Sequence, residues 1–356
     1  MKMNHIRSRK PTEWPEPDRV LWETALTGSK LRRRRKMPGR RQPAFGWSAA
    51  TRGSVEYAYG VYLHWYCAQG FDSLENAPIE RVDADRIERF LAFYGPGRAP
   101  ATIATTLRGI AYMLRATSPP DGLPWLTQWA HHLANTAQPS RPKLQRIAEL
   151  AELHGMAFDL MTEASDGIQR GAANACVDFR DGLMVAMLAA RPMRLRNFLA
   201  LRLQDTFLIN GDAARISFRA THTKTGRPID WGLPEALLPV ITHYLAEVRP
   251  ILRRAVADPD EGWLWLSRRG RPLGATAAST RIATQTLQRL NRRVSPQLFR
   301  DCVATDIAVL DPEHVGITMP ILGHARLSTS QKYYNQARSL TACRRHGAVI
   351  QNLRSD

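Results

Sequence analysis

The sequence is poor in cysteine and has no long apolar run. Its four cysteines, Cys67, Cys176, Cys302 and Cys343, are far apart and form no metal-ligand or redox pair. That excludes a disulfide scaffold and a zinc ribbon, and suits reduced thiols in a reducing cytoplasm. The longest apolar stretch, Gly182 to Ala190, is too short to cross a bilayer and is read as one buried helix. Met1 to Lys10 is basic but lacks the apolar stretch of a secretory signal. No internal repeat is visible, and no acidic cluster could hold a metal. Acidic residues are themselves scarce: 32 Asp and Glu stand against 50 Lys and Arg, a formal net charge of +18. An excess of this size favours a polyanionic partner and salt-dependent binding, with membrane surface and RNA sharing the same charge argument.

What is present is globular in kind, 44% hydrophobic and 23% charged, and 356 residues exceed one typical core. Two compact domains and a tail are therefore expected. The first 46 residues carry thirteen Lys and Arg against Glu13, Glu16, Asp18 and Glu23. The densest piece is Lys30 to Lys36, with Arg32, Arg33, Arg34 and Arg35 at its centre. Like charges at this density repel, so residues 1–43 are read as a mobile basic arm, in which a short helix near Asp18 to Leu26 could dock through Trp22 and Leu26.

From Ser48 the pattern becomes helical. Ser48 is a candidate N-cap before Val55, Tyr59, Tyr62, Leu63 and Tyr66, spaced at three and four residues. Further helices are predicted over Asp83–Tyr94, Ala101–Ala116 and Leu123–Ala134, making a small all-α domain over 44–138. Proline-rich Thr136 to Pro142 reads as a linker. The second domain, 139–340, is mainly helical with one β insert. Thr206–Ile209, an Asn210-Gly211 turn and Ala214–Arg219 read as a hairpin, and Pro228–Leu233 adds a third strand. Helices are expected again at Pro234–Arg253, Ala275–Asn291, Phe299–Leu310 and Thr329–Ala337, with a tail over 341–356. The fold class is thus mainly α with a small β-sheet.

Five segments of the second domain stand out: Arg191 to Leu203, Thr223 to Arg227, Ser295 to Asp301, Leu322-Gly323-His324, and Thr329 to Ala337. In this order they resemble the active-site boxes of the tyrosine recombinase, or phage integrase, family. Phe299 to Cys302 and Tyr334 to Ala337 are similar to signatures of one bacterial integrase branch of it. The resemblance implies a two-domain DNA clamp, with a helical (SAM-like) core-binding domain and an α+β catalytic domain. It also implies site-specific breakage and rejoining of DNA through a 3′-phosphotyrosyl ester, in the service of a mobile element, with no metal or other cofactor.

The chemistry explains these residue types. Attack on a phosphodiester gathers charge on the nonbridging oxygens, and two planar guanidiniums can clamp them; Arg194 and Arg300 are the candidates. By resemblance, Lys224 protonates the departing 5′ oxygen and His324 donates to the phosphate or positions the nucleophile. The nucleophile is Tyr334 or Tyr333. The usual family spacing of nine residues after His324 points to Tyr333, whereas the branch ending points to Tyr334, which is the first choice. Two positions depart from the family. Gln297 stands where a His is usual, and an amide donates but does not titrate near neutrality. Asn197 stands where Glu is frequent.

Arg52, Arg98, Arg108, Arg115 and Arg32 to Arg35 are the candidate DNA contacts. The partners implied are double-stranded DNA, further copies of the chain as a tetramer on paired sites, and accessory recombinases, with no membrane, in a cytoplasmic, nucleoid-associated protein. The alternative reading is a recombinase-like DNA-binding accessory protein whose cleavage is weak or lost, as Gln297 suggests. A type IB topoisomerase fits the Leu-Gly-His…Tyr ending less well, and a merely basic RNA-binding protein leaves the five ordered boxes unexplained.

Overall fold

The computed structural model describes residues 6–27, 44–71, 74–118, 123–138, 144–223, 226, 228–254 and 256–310. The chain divides into two compact units, Met1–Arg141 and Pro142–Asp356. Each has its own hydrophobic core.

The first unit contains α1 (Glu16–Thr27), α2 (Ala49–Ala68), α3 (Ala84–Tyr94), α4 (Pro100–Thr117) and α5 (Pro124–Thr136). Helix starts follow local chemistry. Ser48 accepts from the Thr51 amide at 3.2 Å and Asp83 accepts from Arg86, while Pro100 and Pro124 open α4 and α5, where a missing N–H costs nothing. Along α2, Val55, Tyr59, Tyr62, Leu63 and Tyr66 are all buried, as their spacing predicts. They meet Phe90 and Tyr94 of α3 in a chain of edge-to-face and stacked rings.

Residues 6–27 correct the reading of 1–43 as a mobile arm. Trp14 and Trp22 are buried in the core of the first unit, and α1 is longer than the docked helix expected. Asp18, counted in the sequence with the arm's charges, is fully buried. It takes two hydrogen bonds from Arg81, at 2.8 and 2.5 Å, and one from the Tyr59 hydroxyl at 2.7 Å. Arg81 also donates to the Leu74 and Asn76 carbonyls, so the buried pair is hydrogen-bonded on both sides. Burial, with the Asp18 charge beside it, pushes the Tyr59 phenol well above its ordinary range. Next to this cluster the chain at Arg9 crosses Gly60, the Arg9 amide donating to the Gly60 carbonyl at 3.1 Å. A Cβ at Gly60 would stand 2.1 Å from the Arg9 carbonyl oxygen, so only glycine admits the crossing.

The second unit is built on α6 (Leu150–Gln169) and α7 (Ala175–Ala190). Nearly every residue of α7 is buried, including Gly182 to Ala189, as its apolar run predicts. A short helix, α8 (Leu195–Leu199), leads to the sheet β1 (Phe207–Asn210), β2 (Ala213–Phe218) and β3 (Ile229–Gly232), antiparallel in the order β1-β2-β3. The first hairpin differs by one step from the sequence reading. Asn210 pairs with Ala213, so the two-residue turn is Gly211-Asp212, not Asn210-Gly211, and Gly211 takes the left-handed φ of 56°. The segment α9 (Leu238–His243), a π turn (Tyr244–Val248) and α10 (Arg249–Arg253) run on as one rod. Then come α11 (Ala275–Leu290), ended by Asn291 at φ 52°, and α12 (Leu298–Leu310). On α7 the buried Asp181 pairs with the neighbouring Arg180 and with Arg281 of α11, whose guanidinium also reaches Asp178. The expected helix at Thr329–Ala337 and the tail lie outside the described residues. Mainly helical, with one small antiparallel sheet, is the class that the sequence predicts.

Candidate active site

The first arginine box begins where α7 stops. Pro192 cannot continue the helix, and the Met193 amide turns back to the Arg191 carbonyl at 2.8 Å. Arg194 follows as the N-cap of α8, its carbonyl accepting from Asn197 at 2.9 Å and Phe198 at 3.0 Å. Helix α8 is held by Phe198, which is fully buried against Trp265 at 4.9 Å between rings, while the Trp265 indole donates to the Phe198 carbonyl at 2.9 Å. This anchoring leaves the Arg194 side chain half-buried at the rim of the core. Asn197 is buried in the same turn, which suits a supporting place beneath the box.

The second arginine box begins α12. Leu298, Phe299 and Cys302 are buried and fix the helix against the core. Arg300 is 5% exposed, and its Nη1 donates to the Pro192 carbonyl at 2.7 Å. Two boxes more than a hundred residues apart are thus brought together, with the Arg300 guanidinium two residues from Arg194 along the first box. Gln297 is exposed just ahead of α12. Burial pushes the Cys302 thiol up to about 12, so the cysteine beside Arg300 is a core residue without thiolate character.

Lys224 falls between β2 and β3 in the sequence and, like His324, Tyr333 and Tyr334, lies outside the described residues. The same holds for Arg32, Arg33, Arg34 and Arg35. The other candidate DNA contacts sit in the first unit. Arg98 lies over the Tyr94 ring at 4.2 Å and donates to the Tyr94 carbonyl at 2.5 Å. Arg115 lies over Tyr112 at 4.5 Å. Arg108 and Arg52 are half-buried on α4 and α2. Stacking gives Arg98 and Arg115 a place in the fold apart from any contact with DNA.

Sequence reasoning passed over Arg191, which it took only as part of the first box. Its Nε donates to the Gly232 carbonyl at 2.9 Å and its Nη1 to the Ala190 carbonyl at 2.9 Å. The only signal available was its place directly after an apolar helix, where last-turn carbonyls need donors.

Residues 159–339, just over half of the chain, match the phage integrase family. Among curated proteins, the tyrosine recombinase XerD of Staphylococcus aureus (strain Mu50 / ATCC 700699) is 25% identical over 163 residues, covering 45% of this chain and 52% of that protein. XerD of Staphylococcus saprophyticus is 24% identical over the same length. The chain spans about half the length of the curated relatives it matches. In fold it is similar to the XerH site-specific recombinase in a post-cleavage complex with a palindromic difH substrate. The TM-score is 0.56 at 16% identity, over 97% of this chain and 100% of that one. A pre-cleavage XerH complex gives 0.54 at 14% identity, over 92% and 96%. With the arginine boxes joined through Arg300 and Pro192 inside the matched region, this chain belongs to the phage integrase family of tyrosine recombinases.

Proposed function

We propose that this protein breaks and rejoins double-stranded DNA at specific sites through a 3′-phosphotyrosyl intermediate, in the service of a mobile element. The observation that carries the reading is the contact of Arg300 with Pro192, which sets the two guanidinium-bearing segments side by side. Arg194 and Arg300 then clamp the nonbridging oxygens as charge builds on them. The oxygen of Tyr334, or of Tyr333, attacks phosphorus, and the 5′ oxygen leaves with a proton from Lys224. His324 donates to the phosphate, and the exposed Gln297 amide supplies a hydrogen bond without titrating.

The XerH relatives are described as bound to DNA substrate, and the net charge of +18 suits the same partner here. The first unit contributes the core-binding half through Arg52, Arg98, Arg108 and Arg115, and residues 139–340 the catalytic half. Copies pair on two DNA sites as a tetramer, with or without accessory recombinases, in the cytoplasm at the nucleoid.

The test is incubation with a nicked suicide duplex built from the DNA flanking the gene, reading a covalent protein–DNA adduct. Tyr334→Phe removes one hydroxyl and should abolish the adduct, whereas Tyr333→Phe should keep it. Adduct mapped to Tyr333 exchanges the two roles. Binding with no adduct in the wild type overturns the cleavage reading and leaves an accessory DNA-binding protein.

A further inference from the structure

Thr286 lies on α11, outside the five boxes, and is fully buried. Its hydroxyl accepts from the Val294 amide at 3.0 Å, and its single proton has two carbonyls in reach, Ala283 at 3.2 Å and Val294 at 3.4 Å. A valine would fill the same space with no polar atom. Burying the hydroxyl costs desolvation that only these hydrogen bonds offset. What they hold is the turn between α11 and α12.

That turn leads straight into the second arginine box. Asn291 ends α11 in left-handed backbone at φ 52°, the Val294 amide also reaches the Arg292 carbonyl at 3.1 Å, and the Leu298 amide closes on Ser295 at 2.8 Å. Val294 is fully buried, and the Arg292 guanidinium pairs with Glu152 of α6. Helix α12 begins four residues after Val294, and Arg300 stands in its first turn.

Helix α12 is thereby held from two sides. Towards its far end, Asp306 accepts from the Leu150 amide at 2.6 Å. At the near end, the grip of Thr286 on Val294 sets the height and rotation at which the helix starts. Between them Arg300 donates to the Pro192 carbonyl at 2.7 Å. A guanidinium stands well off the axis of its helix, so a rotation of α12 moves it further than it moves the backbone. A catalytic group misplaced by about 1 Å loses about 10²-fold in rate.

We propose that Thr286 is a positioning residue for Arg300: by clamping the Val294 backbone it fixes the start of α12, and so the place where the Arg300 guanidinium meets the nonbridging phosphate oxygens. The inference rests on the reading of Arg300 as a phosphate clamp. Every link from the Thr286 hydroxyl to that guanidinium is a hydrogen bond or continuous backbone.

A methylphosphonate at the scissile position tests the link. A methyl group there replaces one nonbridging oxygen, less charge gathers in the transition state, and a guanidinium clamp contributes less. Single-turnover adduct formation by the full-length protein is measured on the cleavage-site duplex with ordinary phosphate, and on the same duplex with the methylphosphonate. Relative to wild type on each duplex, Arg300→Ala should lose its adduct on phosphate and recover it on methylphosphonate. Thr286→Val should be slower by about 10²-fold on phosphate and close to wild type on methylphosphonate. Thr286→Ser, which keeps the hydroxyl, should be close to wild type on both. A merely structural role would lower the active fraction equally on the two duplexes.

Equal loss for Thr286→Val on both duplexes, or no loss on phosphate, overturns the proposal, while recovery of Arg300→Ala on methylphosphonate leaves the clamp standing. If Arg300→Ala does not recover, the reading of Arg300 falls and this inference with it. No adduct from wild type on phosphate sinks both. Should Thr286→Val fail to fold, Thr286→Cys, of similar size and a weak acceptor, is compared by the same ratio.

Discussion

Arg194 and Arg300 have the same proposed chemistry and different structural surroundings. Among the described residues no hydrogen bond or ion pair holds the half-buried Arg194 side chain. Arg300 is buried and satisfies the Pro192 carbonyl. Replacing either with alanine should abolish the covalent adduct, because each guanidinium acts on transition-state charge. Their stabilities should separate. Arg194→Ala should cost less than about 1 kcal/mol, since the half-buried side chain gives up some packing and no hydrogen bond. Arg300→Ala should cost about 1–3 kcal/mol, since it strips a buried acceptor of its donor. Urea unfolding midpoints measured beside adduct yields check this. Equal midpoints would mean that the Arg300–Pro192 hydrogen bond contributes nothing to the fold.

Between the N-terminal segment and α2, packing depends on one missing side chain. Ser8 and Arg9 lie on Tyr57 and Gly60, and the crossing brings Trp14 against Tyr59 at 5.1 Å between ring centroids. A methyl group at Gly60 would collide with backbone, which cannot swing aside as a flexible side chain can. Gly60→Ala should therefore loosen residues 6–14 while leaving the second unit folded. Limited proteolysis should cut within residues 6–27 sooner than in wild type, at a stability cost of about 1–3 kcal/mol. An unchanged cleavage pattern would show that the crossing is not held there.

For the whole molecule, the basic excess and the fold have to be separated before DNA binding is tested. Deleting residues 1–43 would remove Trp14, Trp22 and the buried Asp18 along with the arginine run, so loss of binding would report unfolding. Changing Arg32, Arg33, Arg34 and Arg35 to glutamine removes charge and no described packing. Affinity for duplex DNA should then fall, and the salt slope should flatten by about 0.9 for each phosphate that is no longer neutralised. A slope equal to that of wild type would show that this run does not touch DNA.

Local signals determined much of the molecule. Helix periodicity, the Ser48 cap, opening prolines and the Asn-Gly stretch near the hairpin are interactions among residues a few positions apart, so α2 to α5 and the three strands were legible with small boundary errors. The two arginine boxes were legible as motifs for the same reason, since each is a short run with its own chemistry. Contacts between distant residues were not. That Asp18 would sit buried on Arg81 and Tyr59, and not among the charges of an arm, depends on partners 63 and 41 residues away. That Arg191 would reach Gly232, and Arg300 the carbonyl of Pro192, depends on separations of 41 and 108 residues. A charged side chain reads the same in sequence whether water or a buried carbonyl receives it. Only the packed fold, which decides which groups lose water and which acceptors lie within about 3 Å, distinguishes the two.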